Sequence, residues 1–129
     1  MRKTIAVCAA ALLLMSAGKP ESGVISKENG STVINTTTIC KNVEGYAGPV
    51  PVKIYIKKNQ VEKVEVLKND EGPKYMNAVK KKLIEAWNGL SIKEASKKEV
   101  DAVTGATFTS EALIKNVRQG LDYYQKNNK

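Results

Sequence analysis

Histidine is absent from this chain of 129 residues. That absence excludes Ser-His-Asp and Cys-His nucleophilic machinery, and it excludes histidine-ligated metal sites. Cysteine is almost as scarce. Cys8 lies in an N-terminal apolar stretch, and Cys40 alone remains in the body of the chain. An internal disulfide, a CxxC redox pair and a cysteine zinc cluster are therefore excluded there, and Cys40 reads as a small, half-buried apolar residue. Phe108 is the only phenylalanine. With no stacking platform and no recognised motif, a nucleic-acid partner is not expected, although the net charge is +8. The lysines are spread over helix faces and turns, and they read as a solvated basic surface that suits an anionic membrane or an acidic redox partner. The chain also lacks an apolar run of the ~20 residues that span a bilayer comfortably.

What is present begins with a three-part N-terminal pattern. Arg2 and Lys3 are followed by the apolar run Ile5 to Met15 and by the small residues Ser16-Ala17-Gly18. Residues 1–18 are read as a secretory signal, with an uncleaved N-terminal anchor as the alternative. Cys8 precedes most of the apolar run, which argues against a lipidation site. About 110 residues then remain, enough for one domain around one core. Residues 19–42 are read as a linker and a first strand. Lys19 to Ser31 is polar and punctuated by Pro20, Gly23 and Gly30, whereas Thr32 to Ile39 is β-branched.

Residues 43–129 form the expected domain. It opens on Gly45-Tyr46-Ala47-Gly48-Pro49, a turn in which glycine allows positive φ and close approach to a flat ring. Val50, Val52, Ile54 and Ile56 then alternate with Lys53, Tyr55 and Lys57, which predicts a strand. Lys58-Asn59 predicts a tight turn, and Val61 to Leu67 a returning strand. Pro73 suits the first turn of a helix. Met76, Val79, Leu83 and Trp87 make its apolar stripe, and Gly89 is its expected stop. Trp87 reads as core, with stacking on a ligand ring as the alternative. Leu90 to Val100 reads as a connection. A last helix is expected from about Ser110 to Gln125, with Leu113, Ile114, Val117, Leu121 and Tyr124 on one face. Gly120 within it suggests a close approach from another element. The order of elements predicts an α+β fold, a small antiparallel β-sheet packed by two helices.

The stretch Asp101-Ala102-Val103-Thr104-Gly105-Ala106-Thr107-Phe108-Thr109-Ser110 stands out. Gly105-Ala106 has no bulk, and Thr107 lies beside a helix start, where unpaired N–H groups and the positive end of the dipole favour a phosphate. The alternative is that Thr109 or Ser110 merely caps the helix.

Asp101 with Thr104-Gly105-Ala106-Thr107 and Thr109-Ser110 resembles the flavinylation motif of the covalent FMN-binding domain family. That family includes the C and G subunits of sodium-pumping and Rnf-type membrane redox complexes. The Gly45–Pro49 turn resembles a Gly-Tyr-x-Gly-Pro turn in many of its members. The resemblance covers roughly residues 43–124. It implies FMN held through a phosphoester on Thr107, attached from FAD by a separate, magnesium-using flavin transferase. It also implies that Phe108, Thr109 and Ser110 lie near the phosphate, and that Tyr46 or Phe108 lies beside the ring. Asp101 would brace the loop, help the transferase hold magnesium, or serve only as a loop-turn aspartate. Family members often carry Glu-Thr-Pro, with a histidine shortly before it, where this chain has Glu71-Gly72-Pro73 and no histidine. Glu71 is thus a candidate to hydrogen-bond the flavin edge or the ribityl chain, or else a carboxylate at a helix N-terminus. The expectation is an extracytoplasmic electron carrier, periplasmic or secreted, with membrane or extracellular redox partners. The alternatives are a subunit or accessory piece of an Rnf-type complex, and a non-redox basic binding module.

Overall fold

The alternation in residues 52–57 does what a period-two pattern dictates. Val52, Ile54 and Ile56 are buried, while Lys53 and Tyr55 point to the other face, where the Lys53 ammonium pairs with Glu28 at 3.2 Å. The structure, a computed structural model, describes residues 23–127. The expected signal segment therefore lies outside the described residues.

Four antiparallel strands form one sheet in the order β1-β2-β3-β4. They are β1 (Ile25–Glu28), β2 (Ser31–Asn35), β3 (Val52–Lys57) and β4 (Gln60–Val66). β1 falls in the stretch read as a linker. Asn29 (φ 50°) and Gly30 (φ 86°) make a two-residue turn that folds Glu28 back onto Ser31, the geometry that an Asn-Gly pair favours. Lys58 (φ 53°) and Asn59 (φ 60°) make the same kind of turn between β3 and β4, as expected.

Among the described residues, three helices accompany the sheet: α1 (Pro73–Leu83), α2 (Ile92–Lys97) and α3 (Thr107–Asn127). The expected stripe of α1 is buried, including Trp87. Regular α1 ends at Leu83, however, and the chain winds on through turns to Gly89 (φ 81°). Trp87 belongs to the main core and is fully buried, so it cannot stack on a ligand. Residues 89–92 then line the start of β4: the Gly89 N–H donates to Val61 O at 2.7 Å and the Val61 N–H to Leu90 O at 2.8 Å. That pairing covers part of an otherwise open sheet edge.

α2 occupies the stretch read as a connection. Ser91 and Glu94 form a reciprocal capping box, each side chain accepting from the other's backbone N–H at 3.1 Å, and Ile92 and Ala95 enter the core. α3 lies across the sheet. Leu113, Val117 and Leu121 are buried against Ile34, Ile54 and Ile56 in one cluster. At Gly120 a Cβ would lie 2.6 Å from Ile54 Cδ1 and 3.0 Å from Thr36 Cγ2. The expected close approach is therefore made by side chains of the sheet. Among the described residues, no helix is long and apolar enough to cross a membrane.

Candidate functional site

The start of α3 and the Gly45–Pro49 turn before β3 come together through Glu71 and the Tyr46 and Phe108 rings. Residues 103–106 close a tight turn, with the Ala106 N–H donating to Val103 O at 2.9 Å and Gly105 at φ 85°. A side chain at that φ would be strained, which explains the glycine. The first intrahelical bond of α3 is Ser110 N–H to Ala106 O at 2.9 Å. Ala106 thus stands at the cap position without a hydroxyl or carboxylate to offer. The N–H groups of Thr107, Phe108 and Thr109 precede the first helical bond and are directed out of the helix end.

Thr109 and Ser110 do not cap the helix, because both lie within its first turn and are buried. Ser110 accepts from the Val103 N–H at 3.0 Å and donates to Ala106 O at 2.7 Å. The brace of the loop is therefore Ser110. Asp101 is exposed and receives no hydrogen bond from the described residues, so it does not tie the turn. It lines a separate cleft of about 490 Å³ with Lys82, Leu83, Ala102, Val103 and Thr104.

Thr107 points the other way. It lines a cleft of about 380 Å³ together with Gly105, Ala106, Phe108, Thr109, Tyr46 and Tyr75. That volume lies within the range of small-molecule sites. The aromatic rings are unusually open. Tyr46 is 78% exposed, Phe108 64% and Tyr75 47%, and they are the only large hydrophobic side chains exposed among the described residues. Isolated exposed apolar groups need no explanation, but three converging on one cleft mark a binding surface. The Tyr46 and Phe108 rings stand 6.5 Å apart and are tilted by 36°. The lining holds no carboxylate, lysine or arginine.

Of the four hydroxyls in the motif, two are buried and hydrogen-bonded, at Thr109 and Ser110. Thr104 is exposed but lines the Asp101 cleft. Of these four, Thr107 alone is exposed and lines the aromatic cleft.

The turn Gly45–Pro49 is held by Gly45 N–H to Gly48 O at 2.8 Å and by a bridge between Glu44 and Pro49. Gly48, at φ 138°, and Pro49 shape the turn, while Tyr46 is the member that reaches the cleft. Glu71 sits behind it, only 6% exposed. Its carboxylate accepts from the Tyr46 N–H at 2.8 Å, the Ala47 N–H at 2.5 Å and the Thr109 hydroxyl at 2.5 Å. It offers nothing to the N-terminus of α1, whose cap is Gly72 with no side-chain bond.

Tyr75 is the lining residue that the motifs did not point to. Its signal is an aromatic ring beside, and not within, the buried stripe of α1. Cys40 is buried, its thiol donating to Gln119 Oε1 at 3.4 Å, about three helical turns from Thr107. Burial pushes that thiol up to about 11. It is inert and takes no part in the cleft.

No curated protein matches the chain. Residues 45–122, from the Gly45 turn through most of α3, match the FMN-binding domain family. Both walls of the aromatic cleft fall within that span, and the chain belongs to the FMN-binding domain family.

Proposed function

We propose that this FMN-binding protein carries its FMN covalently, as a phosphoester on Thr107, and serves as an extracytoplasmic electron carrier. The observation that carries the reading is the position of Thr107, the exposed aliphatic hydroxyl of the aromatic cleft, on the first turn of a helix whose cap position is alanine. The residues present fit FMN. Tyr46, Tyr75 and Phe108 suit a flat, largely apolar ring, and the N–H groups opening α3 suit the single negative charge that a phosphodiester retains.

FMN bound there supplies the redox chemistry, and the chain supplies binding, orientation and exclusion of water. With no carboxylate, lysine or arginine in the lining, the cleft favours electron transfer over proton-transfer catalysis on a substrate. The same lack bears on how the bond is made. The lining offers no carboxylate or amine to take the proton from the Thr107 hydroxyl, which favours activation from outside. That agrees with a separate flavin transferase, under which the Thr107 oxygen displaces AMP from FAD. Asp101, unpaired and exposed near the loop, is available to that enzyme.

A covalent bond serves a protein beyond the cytoplasm, where a dissociated flavin would be lost, and residues 1–18 read as a secretory signal. The reading therefore includes export and a membrane or extracellular redox partner, with the basic surface favouring an anionic one. The test is retention. Co-expressed with an active flavin transferase, the protein should keep its flavin absorbance after denaturation and desalting, and Thr107→Ala should not. Release of all flavin from the denatured wild type would refute the covalent attachment.

A further inference from the structure

Glu71 lies behind the cleft, and three segments meet at its side chain. Oε1 accepts the Tyr46 N–H and the Thr109 hydroxyl, and Oε2 accepts the Ala47 N–H. Tyr46 lines the cleft directly. Thr109 is the inward neighbour of Phe108 and two residues from Thr107. Tyr75 stands four residues beyond Glu71, on the helix that begins at Pro73. One carboxylate thus relates the three chain segments that bear the three exposed rings.

The latch is itself held. The Glu71 N–H donates to Asn69 Oδ1 at 3.0 Å, and Asn69 Nδ2 donates to Leu67 O at 2.9 Å. Gly45 leaves room for it, because a Cβ at that position would collide with Glu71 Oε1. No lysine or arginine pairs with Glu71 among the described residues. Its three donors are two backbone N–H groups and one hydroxyl, so the carboxylate is committed to the protein's own loop and helix.

We infer that Glu71 is a positioning residue: through Tyr46, Ala47 and Thr109 it fixes the Gly45–Pro49 turn against the first turn of α3, and so sets the spacing of the aromatic walls, without touching the flavin. The consequence for bound FMN rests on the reading of this cleft as the flavin site; the latch itself does not. Glu71→Gln is a specific perturbation because it keeps the shape but turns an N–H donor toward the Ala47 N–H or the Thr109 hydroxyl. Thr109→Val removes the tie to α3 at nearly constant volume, and Thr109→Ser restores the hydroxyl.

Two measurements on the full chain test this. In the protein without flavin, nuclear Overhauser contacts between the Tyr46 and Phe108 rings should be present in wild type and Thr109→Ser, and lost in Glu71→Gln and Thr109→Val. In protein loaded by a flavin transferase, the same two variants should shift the visible circular dichroism and the reduction potential of the flavin, and Thr109→Ser should not. A merely structural role would lower the melting temperature and leave both signals of the folded protein unchanged. Wild-type ring contacts in Glu71→Gln and Thr109→Val, together with an unaltered flavin spectrum and potential, would overturn the inference. Loss of the ring contacts in these variants, with no flavin taken up even by wild type, would uphold the latch and refute the flavin reading instead.

Discussion

Thr36→Val should destabilise the protein far more than its small change in shape suggests. Thr36 is fully buried just beyond β2. Its hydroxyl accepts from the Val52 N–H at 2.9 Å and donates to Asn116 Oδ1 at 2.6 Å. Val52 O also lies 3.3 Å from it, but that carbonyl already accepts the Thr36 N–H at 3.0 Å. Asn116 is fully buried on α3, and its Nδ2 donates to Ala112 O at 2.9 Å. One hydroxyl therefore closes the end of the β2–β3 ladder and ties it to the helix that bears Thr107. Valine fills the same space, so no cavity opens, but the Val52 N–H and Asn116 Oδ1 lose their partners. Each buried orphan costs about 1–3 kcal/mol, giving about 2–6 kcal/mol in all. That is a large share of the roughly 5–15 kcal/mol that holds a typical domain together. In urea, with a slope of about 1–2 kcal/mol/M, the midpoint should fall by about 1 M or more. Thr36→Ser keeps the hydroxyl and loses only the methyl group packed near Gly120, for which a cost of about 1 kcal/mol is expected. The ordering is the decisive result. If Thr36→Val is no less stable than Thr36→Ser, the hydroxyl is not what ties α3 to the sheet.

Gly45→Ala places a methyl group against the Glu71 carboxylate, and equilibrium urea unfolding should show a loss of about 1–3 kcal/mol, the usual range for overpacking. Trp87 is fully buried with its indole N–H unpartnered; Trp87→Phe removes that polar group and should cost less than about 2 kcal/mol, against about 3–5 kcal/mol for Trp87→Ala, followed by far-ultraviolet circular dichroism. Cys40 keeps its proton in the folded state up to about pH 11, whereas its ordinary value is 9.0. The unfolded chain ionises first as pH rises, so stability should fall between these values more steeply in wild type than in Cys40→Ala, a difference that urea melts across that pH range would detect.

The elements with strong periodicity were legible from sequence because packing enforces it. Val52-Ile54-Ile56 alternate because one face of β3 meets the core, and Met76, Val79, Leu83 and Trp87 recur because one side of α1 and its extension does. β1 was missed because an edge strand with one apolar residue, Ile25, carries almost no hydrophobic pattern; its signal was the Asn29-Gly30 pair. α2 was missed because only Ile92 and Ala95 face inward among charged neighbours; its signal was the spacing of Ser91 and Glu94. α3 starts three residues before the expected Ser110, because Thr109 and Ser110 look like caps in sequence, whereas their hydroxyls bond to Glu71 and to the turn at Val103 and Ala106. Of the site, the two motifs led to Tyr46, Thr107 and Phe108. They did not reveal Tyr75, which no spacing ties to the cleft, nor the role of Glu71, which depends on a bond across 38 residues. Asp101 and Thr107 share one motif in sequence, yet they line different clefts on either side of the turn at Gly105.

Digestion with trypsin releases residues 99–115 as one peptide, because the chain has lysine at 98 and 115 and no basic residue between them. That peptide holds Thr104, Thr107, Thr109 and Ser110 together, so its fragmentation distinguishes all four hydroxyls in one spectrum. For protein matured by a flavin transferase, the peptide should carry the added mass of one FMN, less one water, on Thr107 alone. The modification on Thr104, Thr109 or Ser110, or an unmodified peptide under a transferase active on another substrate, would contradict the assignment of Thr107 as the residue that holds the flavin.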